Sequence, residues 1–317
     1  MSYTTKIKEE ISSINNTESE IIAELAGFIR NNAIFTEETI TLTTENKTTI
    51  ERVQNFLKTI YEINIDITTK DNNNFSKKEL YALVIDQKVN KILQDIGLID
   101  KDNNKLDTVP TYIVGANEEI RAYLRGVFLT CGSINDPKTS RYHMELFIST
   151  PEESIFVQKL LNLFDLNAKI LGRDKGYMIY IKEAEKISDF IRILGANNAV
   201  LYYEDVRVYR DKKNQTNRLN NCEQANIDRI VATATEQLEQ IKIIEETASI
   251  DLLDDKARET LEYRKKYPEA SFKELSEIIS LETGKPITKS GLNHRLRKIK
   301  ELAERLSKQK NKELWYS

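Results

Sequence analysis

Two stretches of this 317-residue chain, about 100 residues apart, run through one order of elements, and that repetition limits the fold more than any other feature. The first opens with Thr17-x-x-Glu20, a capping-box spacing, ahead of an apolar run at 21–29. A strand-like Ile40-Thr41-Leu42-Thr43 follows. Thr48-x-x-Glu51 then introduces a helix with Ile50, Val53, Phe56, Leu57 and Ile60 on one face. Alternating Ile63-Asn64-Ile65-Asp66-Ile67 and the apolar run 80–85 predict two strands, and 89–96 a closing helix. The second stretch predicts a helix over 118–130 and a strand over 144–149. Thr150-Pro151-x-Glu153 then caps a helix carrying Ile155, Leu160, Leu163 and Phe164. Strands at 168–171 and 177–181 flank a turn at Asp174-Lys175-Gly176, and 187–194 closes the unit. The threonines at 48 and 150 lie 102 residues apart, Leu25 and Leu124 lie 99 apart. A period this long marks a duplicated domain; solenoids repeat every 20–50 residues.

The net charge of −3 conceals an uneven distribution. Residues 1–100 hold 11 basic and 16 acidic side chains, and 223–250 hold 2 and 6. From Lys285 to Lys312 there are ten basic residues against two acids. Such a concentration favours a polyanionic partner through counterion release, although a solvated terminal helix carries the same signature. Two cysteines, Cys131 and Cys222, are too few for a disulfide framework and fit a reducing cytoplasm. Two histidines argue against a His-based metal site. No apolar run approaches membrane-span length, and residues 1–15 lack a signal-peptide pattern.

The basic region has its own pattern. Leu253, Ala257 and Leu261 predict a helix ending at Pro268. Ser271-x-x-Glu274 opens a short helix with Phe272, Leu275, Ile278 and Ile279 inward, broken by Gly284 and Pro286. Thr288 caps a last helix to about 307, with Leu292, Leu296, Ile299, Ala303 and Leu306 on one face. The other face of its first turns carries Lys289, Ser290, Asn293, His294 and Arg297, a layout that offers short polar and basic groups to a major groove. Asn293 suits adenine, Arg297 guanine or phosphate. The connection over 281–287 exceeds a tight three-residue turn, as in tetra-helical variants of the sigma-factor kind.

Leu25-Ala26-Gly27-Phe28-Ile29-Arg30-Asn31-Asn32-Ala33 resembles the LAGLIDADG signature of homing endonucleases, and Leu124-Arg125-Gly126-Val127-Phe128-Leu129-Thr130-Cys131-Gly132 is a weaker copy. The resemblance implies two closely packed helices, each ending in a metal-binding acid. Here those degenerate positions read Asn32 and Cys131, and the earlier acidic positions Arg30 and Leu129. An amide and a thiol cannot replace two carboxylates on a hard cation, so the expectation is the fold without catalytic residues, metal or cofactor. With the C-terminal module, the chain resembles the WhiA family of bacterial transcription regulators. Glu204-Asp205-Val206-Arg207, the stretch Asn217-Arg218-Leu219-Asn220-Asn221-Cys222-Glu223-Gln224-Ala225-Asn226 and Lys289-Ser290-Gly291-Leu292-Asn293-His294-Arg295-Leu296 resemble its hallmarks.

The expected fold class is α+β: two αββαββα repeats of a duplicated LAGLIDADG homing-endonuclease-like domain, then an all-α helix-turn-helix domain. Boundaries are expected at 1–110, 111–222, 223–250 (an acidic helical linker) and 251–317. Expected DNA contacts are Ser271, Lys273, Thr288, Lys289, Ser290, Asn293, His294, Arg295, Arg297 and Lys298. Residues 204–221 show little apolar periodicity and read as a solvated loop or as a segment whose Arg207, Arg210, Lys212, Lys213 and Arg218 touch phosphate or a partner. His143 reads as a sheet residue, Tyr202-Tyr203 as core, and Cys222 lacks a neighbouring base for nucleophilic work. The favoured function is a non-enzymatic, cytoplasmic, nucleoid-associated transcription regulator that binds double-stranded DNA. The resemblance implies control of cell-division or sporulation-type genes, with RNA polymerase or another transcription regulator as protein partner and no membrane. Two alternatives stand beside it: a metal-dependent homing-type endonuclease using acids outside the signatures, and a protein-binding scaffold. A fragment spanning 251–317 is expected to retain most DNA affinity.

Overall fold

The computed structural model describes residues 1–36, 38–70, 79–139 and 141–315, in two compact units, Met1–Asp211 and Lys212–Ser317. The first unit begins with a helix that the sequence patterns had not suggested, α1 (Tyr3–Ile11). Ser2 caps it by accepting from Thr5 N–H, and Tyr3, Ile7 and Ile11 recur every four residues on its buried face.

The duplicated halves then follow in matching order. The first comprises α2 (Glu18–Asn32), β1 (Ile34–Phe35), β2 (Ile40–Thr44), α3 (Lys47–Tyr61), β3 (Thr68–Lys70), β4 (Leu80–Ile85) and α4 (Val89–Asp95). The second comprises α5 (Asn117–Cys131), β5 (Gly132–Ile134), β6 (Met144–Ile148), α6 (Pro151–Asn162), β7 (Lys169–Arg173), β8 (Gly176–Ile181) and α7 (Ala184–Leu194). Both are αββαββα, and both sheets are antiparallel in equivalent orders, β1-β2-β4-β3 and β5-β6-β8-β7. The central pairs place Leu42 against Leu83 and Leu146 against Ile179, all four side chains buried. One core runs under both sheets, centred on α2 and α5.

These two helices approach as closely as backbones allow. A β-carbon added at Gly27 would lie 2.3 Å from the Tyr123 carbonyl oxygen, and one at Gly126 only 2.1 Å from that of Glu24. Beside the contact Glu24 is buried and accepts bidentate bonds from Arg52 (2.5 and 2.9 Å), plus single bonds from Arg125 (3.1 Å) and Asn16 (2.8 Å). Two buried guanidiniums thus share a carboxylate that also ties α2 to α3 and α5.

Several local expectations are corrected. Asn46, in extended backbone, caps α3 by accepting from Thr49 N–H, so Thr48 falls inside the helix. Thr150 is the N-cap of α6, but Glu153 turns inward and forms no capping box. The boxes at Thr17/Glu20 and Ser271/Glu274 do form. Residues 63–67 are not a strand. Ile63 is buried, Ile65 and Ile67 pack on the core, and the strand begins at Thr68. Ile155 and Leu163 are 47% and 67% exposed, whereas Val157, Leu160 and Leu161 are buried. Tyr203 is buried as expected of core, and Tyr202 packs beside it on Tyr3.

The largest difference lies at 204–221. One helix, α8 (Asn197–Glu246), runs through the expected loop and most of the expected linker, and the two units meet within it at 211/212. Its first amides, at Asn198 and Ala199, donate to the Glu10 carboxylate of α1. The second unit combines the last turns of α8 with α9 (Asp255–Lys266), α10 (Phe272–Thr283) and α11 (Lys289–Trp315). Its core is Ile241 and Ile244 from α8 with Ala257, Leu261, Leu275, Ile279, Leu292, Leu296, Ile299 and Ala303. α9 stops before Pro268, α10 at the left-handed Gly284, and α11 runs past the expected end at 307. No helix among the described residues is long and apolar enough to cross a membrane.

Candidate nucleic-acid interface

The two positions where the endonuclease signature would carry acids are chemically committed elsewhere. Asn32 donates from Nδ2 to the Thr43 carbonyl (2.8 Å) and accepts from Thr43 N–H (2.9 Å), so both ends of its amide are bonded to β2. Cys131 donates its thiol proton to the Val127 carbonyl (3.1 Å), and burial pushes its pKa up to about 11. Arg30 bonds the carbonyls of Gly97 (2.8 Å), Leu106 (2.8 Å) and Asp107 (3.1 Å), and Leu129 is buried. A buried carboxylate, Glu153, accepts from Tyr123 Oη (2.5 Å) and Asn31 Nδ2 (3.4 Å) and lies 3.8 Å from Arg30. Burial raises its pKa. A divalent cation needs several anionic oxygens; a bonded amide, a protonated thiol and one carboxyl held in the core do not fit it. Among the described residues no group of three or more His, Cys, Asp or Glu is placed to hold a metal.

The basic module has the opposite character on one face: the polar side chains of the first turns of α11 stand outward. Along α11 the buried stripe of Leu292, Leu296, Ile299 and Ala303 leaves Lys289, Ser290, Asn293, His294 and Arg297 exposed on the other face. Thr288 Oγ1 accepts from Gly291 N–H (3.1 Å) and fixes the start of the helix. Lys298 is exposed but bonded to Asp254 (2.5 Å), and Arg297 lies 3.5 Å from Glu301 on a solvated face. Arg295 departs from the expected set. Its guanidinium turns onto α9, 3.0 Å from Glu259 and 3.4 Å from Thr260 Oγ1, because position 295 falls between the stripe and the outer face. Ser271 and Lys273 stand at the start of α10, Ser271 half-buried as its cap and Lys273 exposed. The side chains of Lys310 and Lys312 lie outside the described residues.

The five basic residues of 204–221 are not brought together. Arg207 pairs with Glu204 (2.7 Å), and Arg210 donates to the carbonyls of Pro137 (2.6 Å) and Thr139 (2.5 Å) while stacking over Tyr142 (4.6 Å). Lys212, Lys213 and Arg218 are exposed on α8. His143 stands one residue before β6 and shares a bond with Glu145 (3.1 Å). Sequence reasoning missed Arg229 and Arg264. The acidic average of 223–250 hid Arg229. In the sequence Arg264 is one more cation near a helix end, and only its burial sets it apart.

A duplicated LAGLIDADG-type fold with its acid positions replaced, followed by a helix-turn-helix, defines the class. Residues 18–99 match the WhiA N-terminal LAGLIDADG-like domain, 120–213 the WhiA LAGLIDADG-like domain and 216–303 the WhiA C-terminal HTH domain. The "Probable cell division protein WhiA" of Exiguobacterium sibiricum is 39% identical over 311 residues, covering 96% of this chain and 97% of that protein. Its namesake in Staphylococcus epidermidis is 41% identical over 310 residues, covering 96% and 98%. The crystal structure of full-length DUF199/WhiA from Thermatoga maritima superposes with a TM-score of 0.59 at 22% identity, covering 96% of this chain and 99% of that one, a likeness of fold. This chain belongs to the WhiA family.

Proposed function

We propose that this chain is a non-enzymatic regulator that binds double-stranded DNA through α11, acting on the nucleoid and, as the names of its relatives suggest, on genes for cell division. The observation that carries this reading is the two-sided first half of α11. Its apolar stripe is consumed by the unit's own core, so Lys289, Ser290, Asn293, His294 and Arg297 are left exposed on one face at groove-reading spacing. Asn293 and Arg297 are assigned to base edges, and Lys289, Ser290, Thr288 and Lys273 to phosphates; His294 and Lys298 flank this face. Arg295 is assigned to packing against α9. The first unit supplies a folded body, and the occupied amide at Asn32 and the protonated thiol at Cys131 support its lack of nuclease chemistry.

The test is fluorescence-anisotropy binding of the full chain to genomic duplex fragments selected by the protein itself. Asn293→Ala and Arg297→Ala should each cost about 1–3 kcal/mol on the selected sequence and relax discrimination at one base position. Lys289→Gln should weaken all sequences alike and lower the salt slope by about 1. Unchanged affinity in all three α11 variants, or magnesium-dependent cleavage of supercoiled plasmid that survives repurification, overturns the reading.

A further inference from the structure

A cavity of about 260 Å³ lies wholly within the second unit, between α8, the end of α9 and the starts of α10 and α11. Four cations line it, Arg229, Arg264, Lys273 and Lys289, with the hydroxyls of Ser271 and Thr233, and no acid is among its lining residues. We propose that this cavity is an oxyanion site that takes a phosphate group.

Arg264 is the reason. It is 1% exposed, yet among the described residues it pairs with no carboxylate. Its Nη1 donates to the carbonyls of Ala270 (2.6 Å) and Tyr267 (3.4 Å), while its buried Nε has no partner among the described residues. The other buried arginines, Arg52 and Arg125, both rest on Glu24. A buried guanidinium with an idle donor and no counter-ion is costly unless an anion completes it. Burial is the one influence on its pKa, which it lowers, and no neighbouring acid opposes that shift.

The surroundings supply the rest of a phosphate shell. α10 is 12 residues long and begins at this cavity. The Phe272 and Lys273 amides at its start have no acceptor within the helix, and its dipole favours negative charge there. Glu274, the nearby acid, is turned back onto Ser271 N–H (2.8 Å) and does not line the cavity. Arg229 and Lys289 are exposed and form no ion pair among the described residues, and Lys273 reaches Glu277 only at 3.9 Å. A guanidinium fork, two ammonium groups and free amides together match a tetrahedral dianion better than a carboxylate. A backbone phosphate of duplex DNA and a free phosphorylated small molecule present this same chemistry. The site itself stands whether or not the unit binds DNA.

The experiment is calorimetric titration of the full chain with inorganic phosphate at fixed pH and ionic strength, balanced against chloride. One saturable site per chain is expected, weakened roughly ten-fold or more by Arg264→Gln and by the surface pair Lys273→Gln/Lys289→Gln. The surface pair leaves the core untouched and keeps the test decisive if Arg264→Gln does not fold. No saturable heat beyond the chloride control, or an unchanged dissociation constant in the surface pair, overturns the proposal. Repetition with saturating duplex identifies the source. Loss of phosphate binding assigns the site to the DNA backbone, and undiminished binding assigns it to a free phosphorylated ligand. A chain that failed to bind duplex would remove that second arm and leave the first intact.

Discussion

A methyl group at Gly126 would lie 2.1 Å from the Glu24 carbonyl oxygen and 2.7 Å from the Phe28 amide nitrogen, both backbone atoms that cannot move aside. Gly126→Ala should therefore force α2 and α5 apart and destabilise the first unit by about 3 kcal/mol in urea titration, while Gly172→Ala, with nothing within 4 Å, should leave the midpoint in place. The close approach at Gly27 was legible only through the resemblance of Leu25-Ala26-Gly27 to the LAGLIDADG signature, whose small residues let two helices pack closely. Glu153 was not, because Thr-Pro-x-Glu spacing suits a capping carboxylate as well as one turned inward. Its pKa lies above the ordinary 4.5 because it is buried. The folded state then holds a proton that the unfolded state releases, so stability falls as pH rises from about 4.5 through the raised value. Glu153→Gln retains an acceptor for Tyr123 and should lose this fall. Parallel pH–stability curves for the two proteins would count against it. Cys131, with its pKa near 11, should resist a thiol reagent at neutral pH while exposed Cys222 reacts, giving one fast equivalent per folded chain and two after unfolding.

The elements of the two repeats were legible wherever one face is buried and the apolar spacing declares its period. They were illegible where a long helix buries nothing. Every residue of α8 from 211 to 229 is exposed, and the segment holds Asn214, Asn217, Asn220, Asn221 and Asn226, weak helix formers that signal a loop. Backbone hydrogen bonding and local pairs such as Gln224 to Asp228 (2.9 Å) hold it instead of tertiary packing. Its amides should exchange with solvent on the order of 100-fold faster than those around Ile241 and Ile244 on the same helix, measured by hydrogen-exchange mass spectrometry. Leu219→Pro should break the helix locally and leave the thermal midpoints of both units unchanged. Uniform protection from 197 to 246 would show that the exposed stretch is covered in solution.

At the scale of the whole chain, the division into units follows the cores and not the charge. The acidic balance of 223–250 suggested a linker, and a helix-turn-helix fragment starting at 251. Ile241 and Ile244, read with the rest of that linker, are instead buried in the second unit's core with Leu261, Leu275, Leu292 and their neighbours. Burying each of two isoleucines contributes about 1.5–3 kcal/mol, a large share of the stability a small helical unit can have. A fragment of residues 212–317 contains this core entire and should unfold cooperatively in urea. A fragment of 251–317 lacks one wall, exposes the apolar faces of α9 and α10, and should melt without a cooperative transition. Ile241→Ala with Ile244→Ala in the longer fragment should lower stability by about 5 kcal/mol. DNA affinity should follow folding: retained in 212–317, weakened in 251–317, and restored there by no single surface substitution. If 251–317 melted as sharply as 212–317 and bound duplex equally, α8 would be a spacer and the core described for the second unit would be wrong.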